Sequence, residues 1–92
     1  MSFIDGGSAG RMPLRTPTAE TIRRQIAEIA AQEAHRSVEH FLDLIGPVEI
    51  IGAGRGTGGW RLSHYVGAAE EHEAIQRAVG EVQRRHRLVR AD

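Results

Sequence analysis

Apolar residues near the end of the sequence recur at alternating steps of four and three residues. The positions that follow this pattern are Ala68, His72, Ile75, Val79, Val82, His86 and Val89. On an α-helix this spacing places side chains along one narrow seam, which is typical of a helix that packs against a second helix. We therefore predict a helix from about Ala68 to Val89. We expect the seam residues from His72 onward to form an interface with a partner.

The charges along this segment favour the same helix. Glutamates occupy its first turns and arginines its last, the polarity that stabilises the helix dipole; they are Glu70, Glu71, Glu73, Arg84, Arg85, Arg87 and Arg90. Gly80 lies inside this predicted helix, where a glycine lowers helix stability by about 1 kcal/mol relative to alanine. We expect it to admit the close approach of another element.

A second apolar stripe predicts a first helix from about Pro17 to Ile45. Its buried side is formed by Ile22, Ile26, Ile29, Ala30, Ala34, Val38, Phe41, Leu42 and Ile45. Thr16 suits the N-cap and Pro17 the first helical position. Gly46 and Pro47 then end the helix.

Alternating apolar residues between the two helices predict a β-hairpin. Its strands run over Val48–Ala53 and Trp60–Val66, and a glycine-rich turn, Gly54–Gly59, joins them. The expected fold class is α+β, a helix–β-hairpin–helix (α-β-β-α) domain with two long helices packed on a small antiparallel sheet. Residues 16–92 would form this single domain, and Met1–Arg15, rich in glycine, a flexible arm.

Composition narrows the classes of function. The 92 residues carry no net charge and no cysteine, and all 12 basic residues are arginines. Disulfides, thiolate metal sites and cysteine nucleophiles are therefore excluded. The sequence shows no bilayer-length apolar run and no secretory signal pattern, so we expect a cytoplasmic protein, or a virion component if it is viral. With few aromatic residues the core must be small and aliphatic, which favours association with another subunit.

The glycine-rich segment has the spacing of a dinucleotide-binding fingerprint at Gly54, Gly56 and Gly59. That fingerprint requires a helix directly afterwards, whose N–H groups hold the pyrophosphate. A strand is predicted here instead, and the absence of lysine excludes a phosphate-binding loop of the GK[ST] type. We interpret the segment as a hairpin tip, or as a loop that contacts a partner through Arg55.

No set of residues predicts catalysis, a cofactor or a metal. The polar residues of the first helix lack the spacing of known metal-binding helices and are interpreted as a solvated face; they are His35, Glu39, His40 and Asp43. Ser63 and His64 are adjacent in a predicted strand, so their side chains are expected on opposite faces, unable to act together. A metal- or histidine-dependent enzyme that uses His35, His40, His64 or His72 is a distant third interpretation.

The histidines in the seam and the arginines near its end each have two possible roles. His72 and His86 either fix the register of a pH-sensitive interface or reach water at a polar edge. The arginines Arg84, Arg85, Arg87 and Arg90 either compensate the helix dipole or, like Arg55, contact a partner or phosphate.

These patterns together favour a non-enzymatic protein-interaction or assembly module, expected to be oligomeric. Its partners would be further copies of itself or a larger protein assembly, as for a small viral (phage) structural or accessory subunit or an inhibitor protein. The alternative, less favoured, is a small nucleic-acid-associated regulator that uses the C-terminal arginine cluster. No membrane partner is expected.

Overall fold

A computed structural model describes residues 16–52 and 56–90 and confirms the α+β class. The elements in chain order are α1 (Ala19–Ala34), α2 (Val38–Leu44), β1 (Val48–Ile51), β2 (Thr57–Leu62), α3 (Ala69–Arg85) and β3 (Val89–Arg90). The predicted arm and Arg55 lie outside the described residues. Across the described ranges, the helices lack the combination of length and apolarity that a bilayer crossing requires.

The first predicted helix is divided into α1 and α2. His35 ends α1 in the left-handed conformation, with φ 58° and ψ 47°. Ser37 then caps α2, because its Oγ accepts a hydrogen bond from the His40 N–H at 3.1 Å. The N-cap of α1 is Thr18 rather than Thr16, since its Oγ1 accepts from the Thr21 N–H at 3.2 Å. The apolar spacing continues across the break and therefore does not reveal it.

The break allows α2 to fold back against α1. Arg23 of α1 holds the end of α2, because its Nη2 donates to the carbonyls of Leu42 at 2.6 Å and Ile45 at 3.2 Å. These carbonyls have no partner in the helix ladder, so the guanidinium satisfies them. The aromatic side chain of α2, Phe41, is thereby fully buried.

The sheet is antiparallel and has the order β1–β2–β3. Val48 pairs with Leu62 and Ile51 with Gly59 in the predicted hairpin. The third strand was not predicted: Val89 belongs to β3 and pairs with Gly58 of β2. The second predicted helix consequently ends earlier than expected, at Arg85.

The core lies between α1, α3 and the sheet. Its largest fully buried side chains are Phe41, Ile22, Ile26, Ile75, Val82 and Val89. Three of the six predicted interface residues are among them, and this corrects the expectation that they meet a partner. Ile75 and Val82 pack within the chain's own core, where α3 lies against α1, and Val89 packs there from β3.

Candidate functional site

An open groove of about 650 Å³ lies between the sheet and the C-terminal half of α3. We call it the α3 groove; it is lined by Ile51, Gly59, Trp60, Gly80, Gln83, Arg84 and Arg87. The β1–β2 register places Ile51 opposite Gly59, so both strands contribute to the same wall. Gly80, Gln83 and Arg84 of α3, together with Arg87 after the helix, form the other wall.

Two glycines make room for this groove. A Cβ atom added at Gly59 would meet nothing within 4 Å, and one at Gly80 would meet only Nη1 of Arg84, at 3.9 Å. Among the described residues, no other element approaches Gly80, so the close approach expected from the sequence is not found there. Gly80 instead borders open space, since it lines both this groove and a second one between α1 and α3.

Apolar surface in the groove comes from Trp60 and Ile51. Trp60 is 5% exposed, and its Nε1 donates a hydrogen bond to the His86 carbonyl at 2.7 Å. This bond ties β2 to the residue that follows α3 and fixes the indole. Ile51 is 50% exposed at the end of the edge strand β1. Its position offers an apolar contact that the described part of the chain leaves partly open to water.

The charge of the groove is positive. Arg84 pairs with Glu81 at 2.6 Å, whereas Arg87 makes no ion pair with any described residue. No carboxylate among the described residues lines the groove. Two guanidinium groups beside a partly exposed isoleucine therefore suit a ligand with both an anionic and an apolar group.

The predicted arginine cluster is divided by the fold. Arg84 and Arg87 line the groove together, whereas Arg85 lies outside it and pairs with Glu81 at 3.3 Å. Arg90 is half-buried in β3, where its N–H donates to the Pro17 carbonyl at 2.8 Å. The contact predicted for all four arginines stays a prediction, and only two of them share a surface with the groove.

The two seam histidines have different environments. The His72 ring contacts the Tyr65 ring edge-on, with centroids 5.0 Å apart, and its Nε2 is buried without a hydrogen-bond partner among the described residues. His86 lies beyond the helix as its C-cap. Both side chains are half-buried, as is Val79. An interface at these three residues is untested.

A contact that the sequence analysis missed joins α2 to the start of α3. Glu71 is only 8% exposed. Its Oε2 lies 2.5 Å from Nε2 of His40, and its Oε1 accepts from the Ala68 N–H at 2.7 Å. The hydrogen bond from His40, and then that from Ala68, lowers the pKa of the Glu71 carboxyl. The glutamate three residues after the N-cap position was the available signal.

The Glu71 contact predicts a loss of stability in acid. Because its pKa is lowered in the folded state, Glu71 stabilises the fold above its ordinary pKa near 4.5. That contribution is lost as the pH falls through the folded-state value. Glu71→Gln should therefore lower the free energy of unfolding at pH 7 and reduce its decline in acid. Urea unfolding across the acid range measures this, with the exposed Glu73→Gln as the control; equal acid sensitivity in Glu71→Gln and wild type would contradict it.

The other polar residues of the predicted solvated face do not join this contact. His35, Glu39 and Asp43 are exposed, as expected. No group of three or more histidine, aspartate or glutamate side chains in the described ranges is arranged to hold a metal ion.

Ser63 and His64 are closer than the sequence analysis expected. The strand ends at Leu62, so the alternation of faces no longer applies, and Ser63 Oγ lies 3.2 Å from His64 Nδ1. A serine nucleophile needs a histidine that is itself oriented by a third group. No described carboxylate hydrogen-bonds to His64, so this pair lacks the third member.

No family model, curated protein or solved structure matches the chain. The chain's own residues are therefore the basis for a functional proposal.

Proposed function

We propose that the protein is a non-enzymatic interaction module whose α3 groove binds an extended peptide segment of a protein partner. The segment carries a bulky apolar side chain next to a carboxylate. The observation that carries this proposal is that the helical residue Gly80 lines the groove at a place where the described chain has room for a side chain.

Gly80 weakens the helix without serving the packing of the described chain. A glycine inside a helix costs about 1 kcal/mol relative to alanine. Such a residue is commonly explained by the close approach of a neighbouring backbone or ligand. No described element approaches Gly80 closely enough to require the glycine. A ligand that enters the groove and lies against α3 would use this space.

The edge of the sheet supports an extended peptide as the ligand. The order β1–β2–β3 leaves β1 at an edge, and none of residues 16–52 and 56–90 pairs with its outer side. An edge strand presents unpaired N–H and C=O groups that can bind an added strand. Ile51, at the end of β1, also lines the groove. A peptide in the groove can therefore continue along this edge.

Charge and apolar surface favour a protein over a nucleic acid as the partner. Arg84 and Arg87 would bind a carboxylate as readily as a phosphate. The chain as a whole has no net charge, however, and the Trp60 indole is too buried to stack on a base. The partner in this proposal is therefore a polypeptide, in keeping with the expected role in assembly or inhibition.

Selection from a displayed library of short random peptides tests the proposal. Wild-type protein should enrich peptides in which an aliphatic or aromatic residue adjoins Asp or Glu. The double variant Arg84→Glu, Arg87→Glu should bind these peptides about tenfold or more weakly, a loss of about 1.4 kcal/mol in binding free energy. Arg24→Glu is the matched control, because Arg24 is an exposed arginine of α1 that does not line the groove. Absence of an enriched class, or equal loss with Arg24→Glu, would overturn the proposal.

Binding to random duplex DNA tests the alternative. Phosphate-driven binding must weaken steeply between about 50 and about 200 mM salt. DNA binding of this kind that disappears in the Arg84→Glu, Arg87→Glu variant, with no peptide enriched, would favour a nucleic-acid-associated regulator instead.

Gly80→Ala should stabilise the protein and weaken peptide binding at the same time. The added Cβ has room, so we expect the free energy of unfolding to rise by about 1 kcal/mol. The same atom occupies the groove, so affinity for a selected peptide should fall. Thermal unfolding and peptide titration measure the two effects. Because stability rises, a loss of binding could not come from misfolding, and unchanged affinity would argue against a ligand lying on Gly80.

A further inference from the structure

We infer that the α3 groove binds residues Phe3–Asp5 of the same chain, so that a partner's peptide competes with a segment that the protein itself supplies. This inference rests on the proposed function, since it assigns a ligand to the same groove.

The segment Phe3-Ile4-Asp5 has the chemistry that the groove requires. It places two bulky apolar side chains directly before a carboxylate. Asp5 is the only acidic residue among the first 15 residues of the sequence, so no other part of that segment offers this combination. The groove offers the complementary groups, a half-exposed isoleucine with the arginines Arg84 and Arg87.

The described chain begins close to the groove. The Pro17 carbonyl accepts the Arg90 N–H, and Thr18 also bridges to Arg90. Arg90 in turn pairs with Thr57, two residues before Gly59 on the groove wall. With strand spacings near 4.8 Å and a rise near 3.3 Å per residue, Thr16 lies roughly 10–17 Å from Gly59.

The intervening chain has the length to span this distance. Residues 6–15 separate Asp5 from Thr16 and include three glycines. A glycine-rich chain of that length has an average end-to-end distance of about 17–20 Å. A linker whose average length matches the span gives an effective concentration in the millimolar range. Binding within one chain therefore prevails over binding between chains at ordinary protein concentrations.

Occupancy by the chain's own segment lowers the apparent affinity for an external peptide. The apparent Kd equals the intrinsic Kd divided by the fraction of molecules in which the groove is free. Removing the segment's anchor by Phe3→Ser should therefore strengthen binding of a selected peptide severalfold. Met12→Ser removes an apolar side chain from the same part of the sequence outside the triplet, and should leave affinity unchanged.

A spin label attached to residue 2 tests the contact directly. The 92-residue chain has no cysteine, so Ser2→Cys gives it one attachment site. A nitroxide there should broaden the amide signals of Gly59 and Gly80 and the indole signal of Trp60. A mixture of labelled chains with unlabelled, isotope-enriched chains should show no such broadening. Absence of broadening in the first sample, or its presence in the mixture, overturns binding within the chain.

A charge exchange identifies the pair of residues involved. Asp5→Arg and Arg87→Glu should each abolish the broadening, and the double variant should restore it, because the attraction is re-formed with reversed sign. Failure of the double variant to recover would contradict the proposed pairing. If the label shows no contact while random peptides are still enriched, this inference is wrong and the proposed function stands. If neither the wild type nor the Phe3→Ser variant, whose groove is freed of the chain's own segment, enriches a peptide, the proposed function itself fails.

Discussion

Phe41→Ala is expected to lower the free energy of unfolding by about 3–5 kcal/mol, because it leaves a cavity that the small core cannot close. Phe41 is fully buried and is one of only two phenylalanines in the sequence. It is the residue through which α2 packs into the core. A domain of this size is typically stable by about 5–15 kcal/mol, so the variant would be close to unfolding at 25 °C.

Urea unfolding followed by circular dichroism measures this effect. Phe41→Leu retains much of the apolar volume and should lose clearly less stability than Phe41→Ala. Leu88→Ala is the surface control, because Leu88 is 52% exposed and should change stability by no more than about 0.5 kcal/mol. A loss below about 1 kcal/mol in Phe41→Ala would mean that α2 does not pack against α1 as described.

Gly67→Ala is expected to destabilise the protein by about 1–3 kcal/mol through backbone strain and a steric clash. Gly67 has a φ of 132°, a conformation that residues with a side chain rarely adopt. Its added Cβ would lie 2.6 Å from Oε1 of Glu71 and 3.2 Å from Cδ1 of Leu44. The clash would displace the carboxylate that accepts the Ala68 N–H and contacts His40.

A double-mutant cycle with Glu71→Gln separates the two causes. If the clash with the carboxylate contributes, Gly67→Ala should cost less in the Glu71→Gln background than in wild type. Gly59→Ala is the matched control for stability, since its Cβ would meet nothing within 4 Å and its φ lies outside the positive range. Equal destabilisation by the two glycine substitutions would show that neither the φ of Gly67 nor its contacts matter.

Local signals predicted the class of elements but placed several of their ends wrongly. The acidic first turn and basic last turn of α3 are confirmed, because the helix dipole acts on residues close in sequence. The break at His35 was missed, because the apolar spacing of α1 continues into α2 and a left-handed histidine has no reliable sequence signal. The strand β3 was missed because two residues pair only through contact with the distant Thr57 and Gly58.

The candidate site could be predicted only in parts. The sequence indicated that Gly80 is an unusual helical residue and predicted Arg84 and Arg87 as partner contacts. It did not indicate that these residues line one groove together with Trp60. The seam correctly indicated that Ile75 and Val82 are buried. It could not show whether their partner was another chain or α1 of the same chain, because both give the same periodicity.

Residue order alone determined that the chain forms helices around a hairpin, since periodicity, capping residues and charge polarity act over a few residues. It also determined which functional groups the side chains supply: arginine and histidine are the basic residues, and there is no thiol. Tertiary structure decided which surfaces remain available. The packing of α3 on α1 covers Ile75 and Val82 of the seam, and the pairing of β1 with β2 places Ile51 and Gly59 in the groove that Gly80 also lines. Such arrangements depend on contacts between residues that are distant in sequence. A local sequence pattern contains no information about the entropic cost or the packing energy of these contacts.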